Sequence, residues 1–189
     1  ISGSFVISEL LPKQNWLSFW KLRSSWVSSK KTADIYDINS AFTITPAAWG
    51  TLNSATYPTT IRGEDIFPES NSTFEVGSAI SLFQNGITLD VSYYAKDMKD
   101  FIKQALVSSA SGFTNNYINL DEQRRRSGIE VELKVTPVKT RDWRWDMNLN
   151  WTTFKTVYTK LDSYYSGDKP WVKVGKRTDH YIYRDFLKD

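Results

Sequence analysis

The chain has 189 residues and a formal net charge of +3, so it is long enough for one ordinary domain and too weakly basic to argue for nucleic-acid binding. It contains no cysteine, which excludes disulfide scaffolds and thiolate metal sites. No run of about twenty apolar residues is present, which excludes a transmembrane helix. Aromatic residues nevertheless reach 15%, with eight tryptophans, and this content suits aromatic girdles at a membrane interface.

The chain reads as a series of extended segments joined alternately by short and long connections. Three hairpins are predicted over residues 4–10 with 17–28, 74–83 with 87–98, and 127–137 with 143–156. Gln84-Asn85-Gly86 joins the second pair, and Asn-Gly is the preferred pair for a tight type I′ turn. Antiparallel pairing is expected within each hairpin.

The second and third hairpins alternate between apolar and polar residues over about ten positions, which exceeds the usual strand of about five or six. Ile87, Leu89, Val91, Tyr93 and Ala95 would point to one side, with polar residues between them. About nine to eleven tilted residues cross a bilayer, with the apolar side toward lipid and the polar side toward a watery lumen. The pattern predicts an all-β fold, an antiparallel transmembrane β-barrel wall.

The polar side of this wall is strongly charged. We expect the following side chains to face the lumen: Lys21, Arg23, Asp90, Glu130, Glu132, Lys134, Arg144, Asp146 and Asn148. Trp20, Trp26, Trp143 and Trp151 have the opposite parity and are expected to face lipid. A soluble or surface-exposed β-sandwich that binds glycans is the alternative, with tryptophan filling its core.

Long polar stretches at 29–71, 99–126 and 157–170 separate the hairpins. Short turns on one side and long loops on the other are typical of an outer-membrane barrel, with the turns in the periplasm and the loops outside. Proline and glycine predict a loop at 44–72, and Pro137 is expected at a strand end. Helical spacing of apolar residues at 95–105 predicts one or two helical turns, and 171–183 is predicted only as extended.

Enzymatic chemistry is not expected, and no catalytic residue, metal or cofactor is predicted. His180 beside Asp179 lacks a nucleophile motif, and Glu130 with Glu132 fits a solvated strand face better than an acid–base pair. Tyr164 and Tyr165 are candidate ligand contacts, because tyrosine rings can stack on the apolar side of a sugar.

Several segments resemble the SusC/RagA family of TonB-dependent outer-membrane transporters. Residues 16–26 resemble its "LKLRASYG"-type strand, and residues 85–94 resemble "NRLTLDVTYY". Similar likenesses follow in order at 68–77, at 111–113 with 127–133, and at 145–151, where the family pattern is "WDVNLNFS". Arg124-Arg125-Arg126 departs from the family, which more often has one basic residue there.

The resemblance implies that residues 1–189 are part of a single barrel domain of about 22 strands, without its plug domain. It implies TonB-dependent uptake of oligosaccharides or peptides across a Bacteroidetes-type outer membrane. The implied partners are a SusD-like surface lipoprotein, TonB acting through the plug, outer-membrane lipid and the remaining segments of the same barrel. We expect the chain to be a fragment whose edge strands do not close on each other.

Overall fold

A computed structural model describes residues 1–34, 38–63, 65–167 and 169–179. Its strands are β1 (Ser2–Val6), β2 (Leu17–Lys31), β3 (Thr43–Trp49), β4 (Leu52–Thr56), β5 (Thr60–Ile61), β6 (Glu69–Leu82), β7 (Ile87–Leu106), β8 (Asn115–Lys139) and β9 (Arg144–Lys160). Short 3-10 turns lie at Ile7–Glu9 and Ser109–Ser111. Within the described residues, no helix is long and apolar enough to cross a membrane.

One large antiparallel sheet dominates the structure, with the strand order β1-β2-β6-β7-β8-β9. The two residues of β5 pair in parallel with β8, and β3 and β4 form a separate hairpin. In the described parts of the chain, β1 and β9 do not pair with each other, so the sheet stays open. An unpaired backbone group costs several kcal/mol in lipid, so a wall of this kind needs further strands beside both edges.

The register defines two faces, because side chains of directly paired residues point to the same side of a sheet. We call apolar the face that carries the row Trp20, Ile80, Leu89, Leu133 and Leu149. We call polar the face that carries the neighbouring row Lys21, Ala79, Asp90, Glu132 and Asn150. The predicted alternation and the antiparallel pairing of all three predicted hairpins are confirmed.

The apolar face has no second layer packed on it in the described residues. Its large side chains are open, with Leu149 at 55% exposure and Trp151 at 56%, whereas the buried apolar residues are Ala105, Leu120 and Tyr158. A soluble domain would cover such a surface, but lipid covers it in a barrel wall. The β-sandwich alternative is therefore wrong, since a sandwich needs a second sheet on this face.

Two tryptophans on the apolar face satisfy their indole N–H groups on the neighbouring strand. Trp20 Nε1 donates to Ser78 Oγ at 3.1 Å, and Trp26 Nε1 donates to Ser72 Oγ at 2.9 Å. Each serine lies on β6, two residues before the residue that pairs with the tryptophan. These serines interrupt the apolar pattern because an indole N–H facing lipid needs an acceptor.

Several predicted boundaries are wrong. The first strand ends at Val6 instead of continuing to residue 10, because the chain enters the 3-10 turn at Ile7–Glu9. The predicted long loop at 99–126 is mostly strand, since β7 runs to Leu106 and β8 begins at Asn115. Long paired strands thus continue beyond the length that a bilayer requires.

Proline did not prevent strand formation where a local irregularity accommodates it. The predicted loop at 44–72 contains the hairpin β3–β4, with Pro46 in a register shift between Thr45 and Trp49. Pro137 lies in a similar shift between Val135 and Val138, so β8 continues to Lys139 although proline donates no ladder hydrogen bond. In the segment predicted as extended, residues 171–176 form turns and irregular backbone, Arg177 makes an antiparallel bridge with Val157 of β9, and 180–183 lie outside the described residues.

The β6–β7 turn is shifted by one residue from its prediction. Gly86 N donates to Phe83 O at 3.0 Å, so Gln84 and Asn85 are the central pair. Their φ angles are 57° and 66°, as a type I′ turn requires. Glycine therefore takes the fourth position of the turn, and the Asn-Gly pair is not central.

The helical turns predicted at 95–105 are absent, because these residues belong to β7. Asp100 has a φ of 63° at a register shift between Lys99 and Phe101, and this interrupts the strand alternation. Met98 precedes the interruption and pairs with Arg124, while the Phe101 ring lies 5.0 Å from the Arg124 guanidinium. Met98 and Phe101 therefore lie on the same face of the strand although they are three residues apart. This spacing is the one expected for a helix, which explains the wrong prediction.

We predict that Leu149→Arg destabilises the membrane-inserted whole protein by roughly 2–4 kcal/mol, because it places a cation against lipid. Asn148→Arg should be far milder, since Asn148 lies on the polar face beside Lys134. Denaturant unfolding in lipid vesicles measures both. Equal losses for the two substitutions would contradict the lipid-facing assignment.

Candidate functional site

The register places all nine sequence-predicted lumen residues on the polar face. Lys21, Asp90 and Glu132 share one row. Arg23 and Glu130 share the next row, while Lys134 pairs with Asn148. Arg144 and Asp146 lie near the β8–β9 turn, where Thr136 Oγ1 donates to Asp146 Oδ1 at 2.8 Å.

Arg23 is the residue that links strands across this face. Its guanidinium donates two hydrogen bonds of 2.7 Å to the Asp90 carboxylate on β7, although β6 lies between the two strands. Arg23 Nε also lies 3.8 Å from Glu75 Oε1 on β6. Such fork-like pairs are among the strongest side-chain hydrogen bonds.

A glycine makes this crossing possible. Gly77 on β6 pairs with Arg23, and a Cβ at Gly77 would lie 2.8 Å from Arg23 Cζ. The next residue on the same face is Ala79, which is also small. The bare backbone of β6 therefore lets the Arg23 side chain lie flat and reach Asp90.

The other charges of the face pair mainly within one strand. Lys134 Nζ lies 2.9 Å from Glu132 Oε1, and Arg144 Nε donates to Asp146 Oδ2 at 2.7 Å. Asp90, Glu130 and Glu132 also line a shallow concavity of about 310 Å³. These half-buried and exposed carboxylates and their basic neighbours form a hydrated charged surface.

An aromatic cluster lies further along the polar face, toward the external end. Tyr94 crosses Gly128, where an added Cβ would lie 2.8 Å from the tyrosine hydroxyl. On the other side of Gly128, Phe154 carries the Arg126 guanidinium 3.9 Å above its ring. Large rings that cover strand glycines restore the packing that glycine lacks.

Tyr164 and Tyr165 lie in the connection that follows β9, beside a cavity of about 610 Å³. Their rings stand edge to face, with centroids 4.7 Å apart and an interplanar angle of 81°. Lys103, Arg124 and Lys169 also line the cavity. The two predicted ligand contacts are thus together, next to cationic groups and an open space.

Asp162 holds the backbone of the tyrosine pair. Its Oδ1 accepts the N–H groups of Tyr164 and Tyr165, both at 2.9 Å, and its Oδ2 accepts the Asp121 N–H at 3.1 Å. The hydrogen bonds from Tyr165 and Tyr164 lower the pKa of the Asp162 carboxyl below its ordinary value. Ionised carboxylates that accept several backbone N–H groups behave in this way.

Glu122, the most deeply buried acid of the site, is not among the residues predicted from the sequence. Its side chain is 6% exposed, and Arg124 Nε donates to its Oε1 at 2.6 Å. Lys103 Nζ lies 3.9 Å from the same oxygen, and Ser166 Oγ donates to Oε2 at 3.3 Å. The spacing Glu122-x-Arg124 on one strand face is the signal that could have revealed this pair.

Ser166 connects Glu122 to the tyrosine pair. Its hydroxyl also accepts the Asp162 N–H at 2.9 Å, so one serine joins the Asp162 turn to the wall. The order of the loop therefore depends on a buried carboxylate of β8. His180 lies outside the described residues.

We predict that Gly77→Ala costs about 1 kcal/mol of unfolding free energy, because the new methyl displaces Arg23 from Asp90. In an Asp90→Asn background the same substitution should cost much less, since the charged pair is already lost. Gly3→Ala is the matched control, because nothing lies within 4 Å of its Cβ position. Denaturant unfolding of the whole protein measures this cycle, and additive losses would contradict the crossing.

We predict that Asp162→Ala speeds amide exchange at Tyr164 and Tyr165 by roughly fivefold or more, because the oxygen that accepts both N–H groups is lost. Asp162→Asn keeps an acceptor oxygen and should change exchange little. The pKa of Asp162 is lower in the folded protein than its unfolded value of about 3.9, so the ionised carboxylate stabilises the turn at pH values above about 3.9. This stabilisation is lost as the pH falls through the folded-state pKa. Hydrogen-exchange mass spectrometry measures the effect of the substitutions and of pH. Fast exchange at Tyr164 and Tyr165 in the native protein at neutral pH would contradict the role of Asp162.

Comparison with known proteins gives the same assignment as the geometry. Residues 10–180 match the model of the TonB dependent receptor-like, beta-barrel family. The chain is 20% identical over 163 residues to TonB-dependent receptor P3 of Formosa agariphila, covering 85% of this chain and 16% of that protein.

Solved structures show the same fold. The RagAB peptide importer in its open-open state aligns with a TM-score of 0.74 and 22% identity, over 93% of this chain and 20% of that one. A second structure, of the RagAB peptide transporter, aligns with a TM-score of 0.74 and 23% identity, over 86% of this chain and 18% of that one. The chain thus spans about a fifth or less of the length of the relatives it matches. The resemblance to TonB-dependent outer-membrane receptors and the outer-membrane location are confirmed, and the chain belongs to the TonB dependent receptor-like, beta-barrel family.

Proposed function

We propose that this chain forms part of the barrel wall of an outer-membrane importer that takes up oligosaccharides or peptides with energy from TonB. The apolar face lies against lipid, and the polar face lines the lumen through which a nutrient passes. TonB acts through the plug domain, which is a different part of the whole protein from this wall.

The cross-strand pair of Arg23 and Asp90 is the observation that supports this proposal most. A charged pair that bridges three strands over Gly77 stiffens the polar face while leaving it hydrated. Its side chains are one-third exposed, at 33% and 30%, which suits a water-filled passage and not a packed core. Lumen residues of barrels tune the field that a passing solute meets.

We further propose that Tyr164 and Tyr165 contact the nutrient as it enters from outside. Tyr164 is 82% exposed, and its hydrogen-bonded turn presents the ring at the cavity without a large ordering cost. A SusD-like surface lipoprotein would deliver the nutrient to this external end. This partner and the choice between sugar and peptide rest on the sequence resemblance.

Uptake by intact cells tests the transport proposal. Cells lacking the gene of the whole receptor, and cells complemented with it, receive either dye-labelled xylan oligosaccharides or dye-labelled tryptic casein peptides. We expect accumulation of one mixture to need the receptor and to stop when a protonophore removes the energy source of TonB. Receptor-independent or protonophore-insensitive accumulation of both mixtures would contradict the proposal.

The tyrosine contacts are tested in the same cells with the mixture that is taken up. Tyr164→Ala with Tyr165→Ala should raise the nutrient concentration that gives half-maximal uptake by about two- to tenfold, because two stacking surfaces are lost. Tyr164→Phe with Tyr165→Phe is the matched control, since it keeps both rings and should change little. If that concentration is unchanged in the alanine variant, the tyrosines do not contact the nutrient, while the transport proposal is unaffected.

A further inference from the structure

A concavity of about 820 Å³ lies at the external end of the wall, on the side of the apolar face. Two rows continue the alternate positions of that face beyond Trp26 and Phe74. The first row contains Ser28, Ser72, Asp97 and Arg125, and the second contains Lys30, Ser70, Lys99 and Gln123. The concavity therefore begins where the apolar residues end.

Its first row lies at the height of the lipid headgroups, and its second row lies at their water side. Lys30 follows Trp26 by four residues, which corresponds to roughly 10 Å along the membrane normal at about 3.3 Å per residue and a tilt of about 40°. Tryptophan marks the boundary between hydrocarbon and headgroups, and the headgroup layer on one side is about 5–8 Å thick. A lipid whose chains cover the apolar face must place its headgroup against these two rows.

The lining has an excess of positive charge on this side. Lys30 and Lys99 are exposed, and neither has a carboxylate within 4.0 Å in the described residues. Arg125 donates to both oxygens of Asp97, at 2.6 and 2.9 Å, and keeps further N–H groups free to donate. Ser28, Ser70 and Thr159 add hydroxyl groups. Ammonium groups and hydroxyls together suit a phosphate.

The inner end of the same face has a different chemistry. There Val138 pairs with Trp145, and both positions are apolar. Lys139 and Arg144 lie beside this pair but belong to the polar face, so the basic residues of the two rows described here have no counterpart at Val138 and Trp145. Most lining residues belong to the apolar side, and Asn71, Met98 and Arg124 from the alternate positions complete the lining.

A protein partner fits this surface less well. Core positions of protein interfaces are depleted in lysine and enriched in aromatic residues, whereas here Trp26 is the single aromatic residue among the lining residues that the structure describes. We infer that this concavity binds the phosphorylated headgroup of an outer-leaflet lipid, with Lys30 and Lys99 contacting the phosphate. Arg125, fixed by Asp97, lies on β8 next to the strand that carries Lys99 and adds further donors.

Native mass spectrometry of the whole receptor tests this inference, with diphosphorylated lipid A and enzymatically dephosphorylated lipid A as probes. The native receptor should retain the phosphorylated probe at least about tenfold better, and added salt should reduce the difference. This comparison requires no variant. Equal retention of both probes, or competition by inorganic phosphate at the concentration of the lipid, would overturn the inference.

Substitution locates the site. Lys30→Gln with Lys99→Gln should lower retention of the phosphorylated probe by about tenfold or more, since each lysine near a charged lipid contributes severalfold. Lys13→Gln with Lys139→Gln removes the same charge toward the inner end and should leave retention unchanged. Equal retention by the two variants, or a change of oligomeric state without a change in lipid retention, would refute the site and indicate a protein interface.

Discussion

Everything in this wall depends on one constraint, the need to pair every backbone N–H and C=O group where lipid excludes water. Continuous antiparallel ladders meet it from β1 to β9, and they fix which residues lie side by side. Once the register is fixed, each row of side chains faces either lipid or water. A slip of one residue would exchange the two environments, so the charged polar face and the apolar face stabilise the same register.

Small residues then decide how far a polar side chain can act across the ladder. Gly77 lets Arg23 reach over β6 to Asp90, and Gly128 lets Tyr94 lie across β8 toward Phe154. In a soluble sheet such glycines weaken the strand. Here the loss is offset because a long side chain takes the place of the missing one and joins three strands.

Sequence alternation was sufficient to predict the wall, the three antiparallel hairpins and the shared face of the nine polar residues named from Lys21 to Asn148. It failed where a single backbone angle changes the phase, as at Asp100, whose positive φ no composition signal announces. It also failed for Glu122, because burial there arises from Ser166 in a distant loop and Arg124 on the same strand. The alternation of apolar and polar residues predicts the regular strand pairing, whereas bulges and loop contacts depend on tertiary packing.

The change of chemistry along the strands distinguishes the two faces further. On one face, Trp20 and Trp26 give way to Ser28 and then Lys30, so the environment changes from hydrocarbon to water within one strand. On the other face, charge persists from Arg144 to Arg126. A packed core would require one uniform environment on one side, because a buried lysine must be paired or neutral. Only a wall between lipid and water accounts for one face that changes from apolar to polar and one face that carries charged residues along its length.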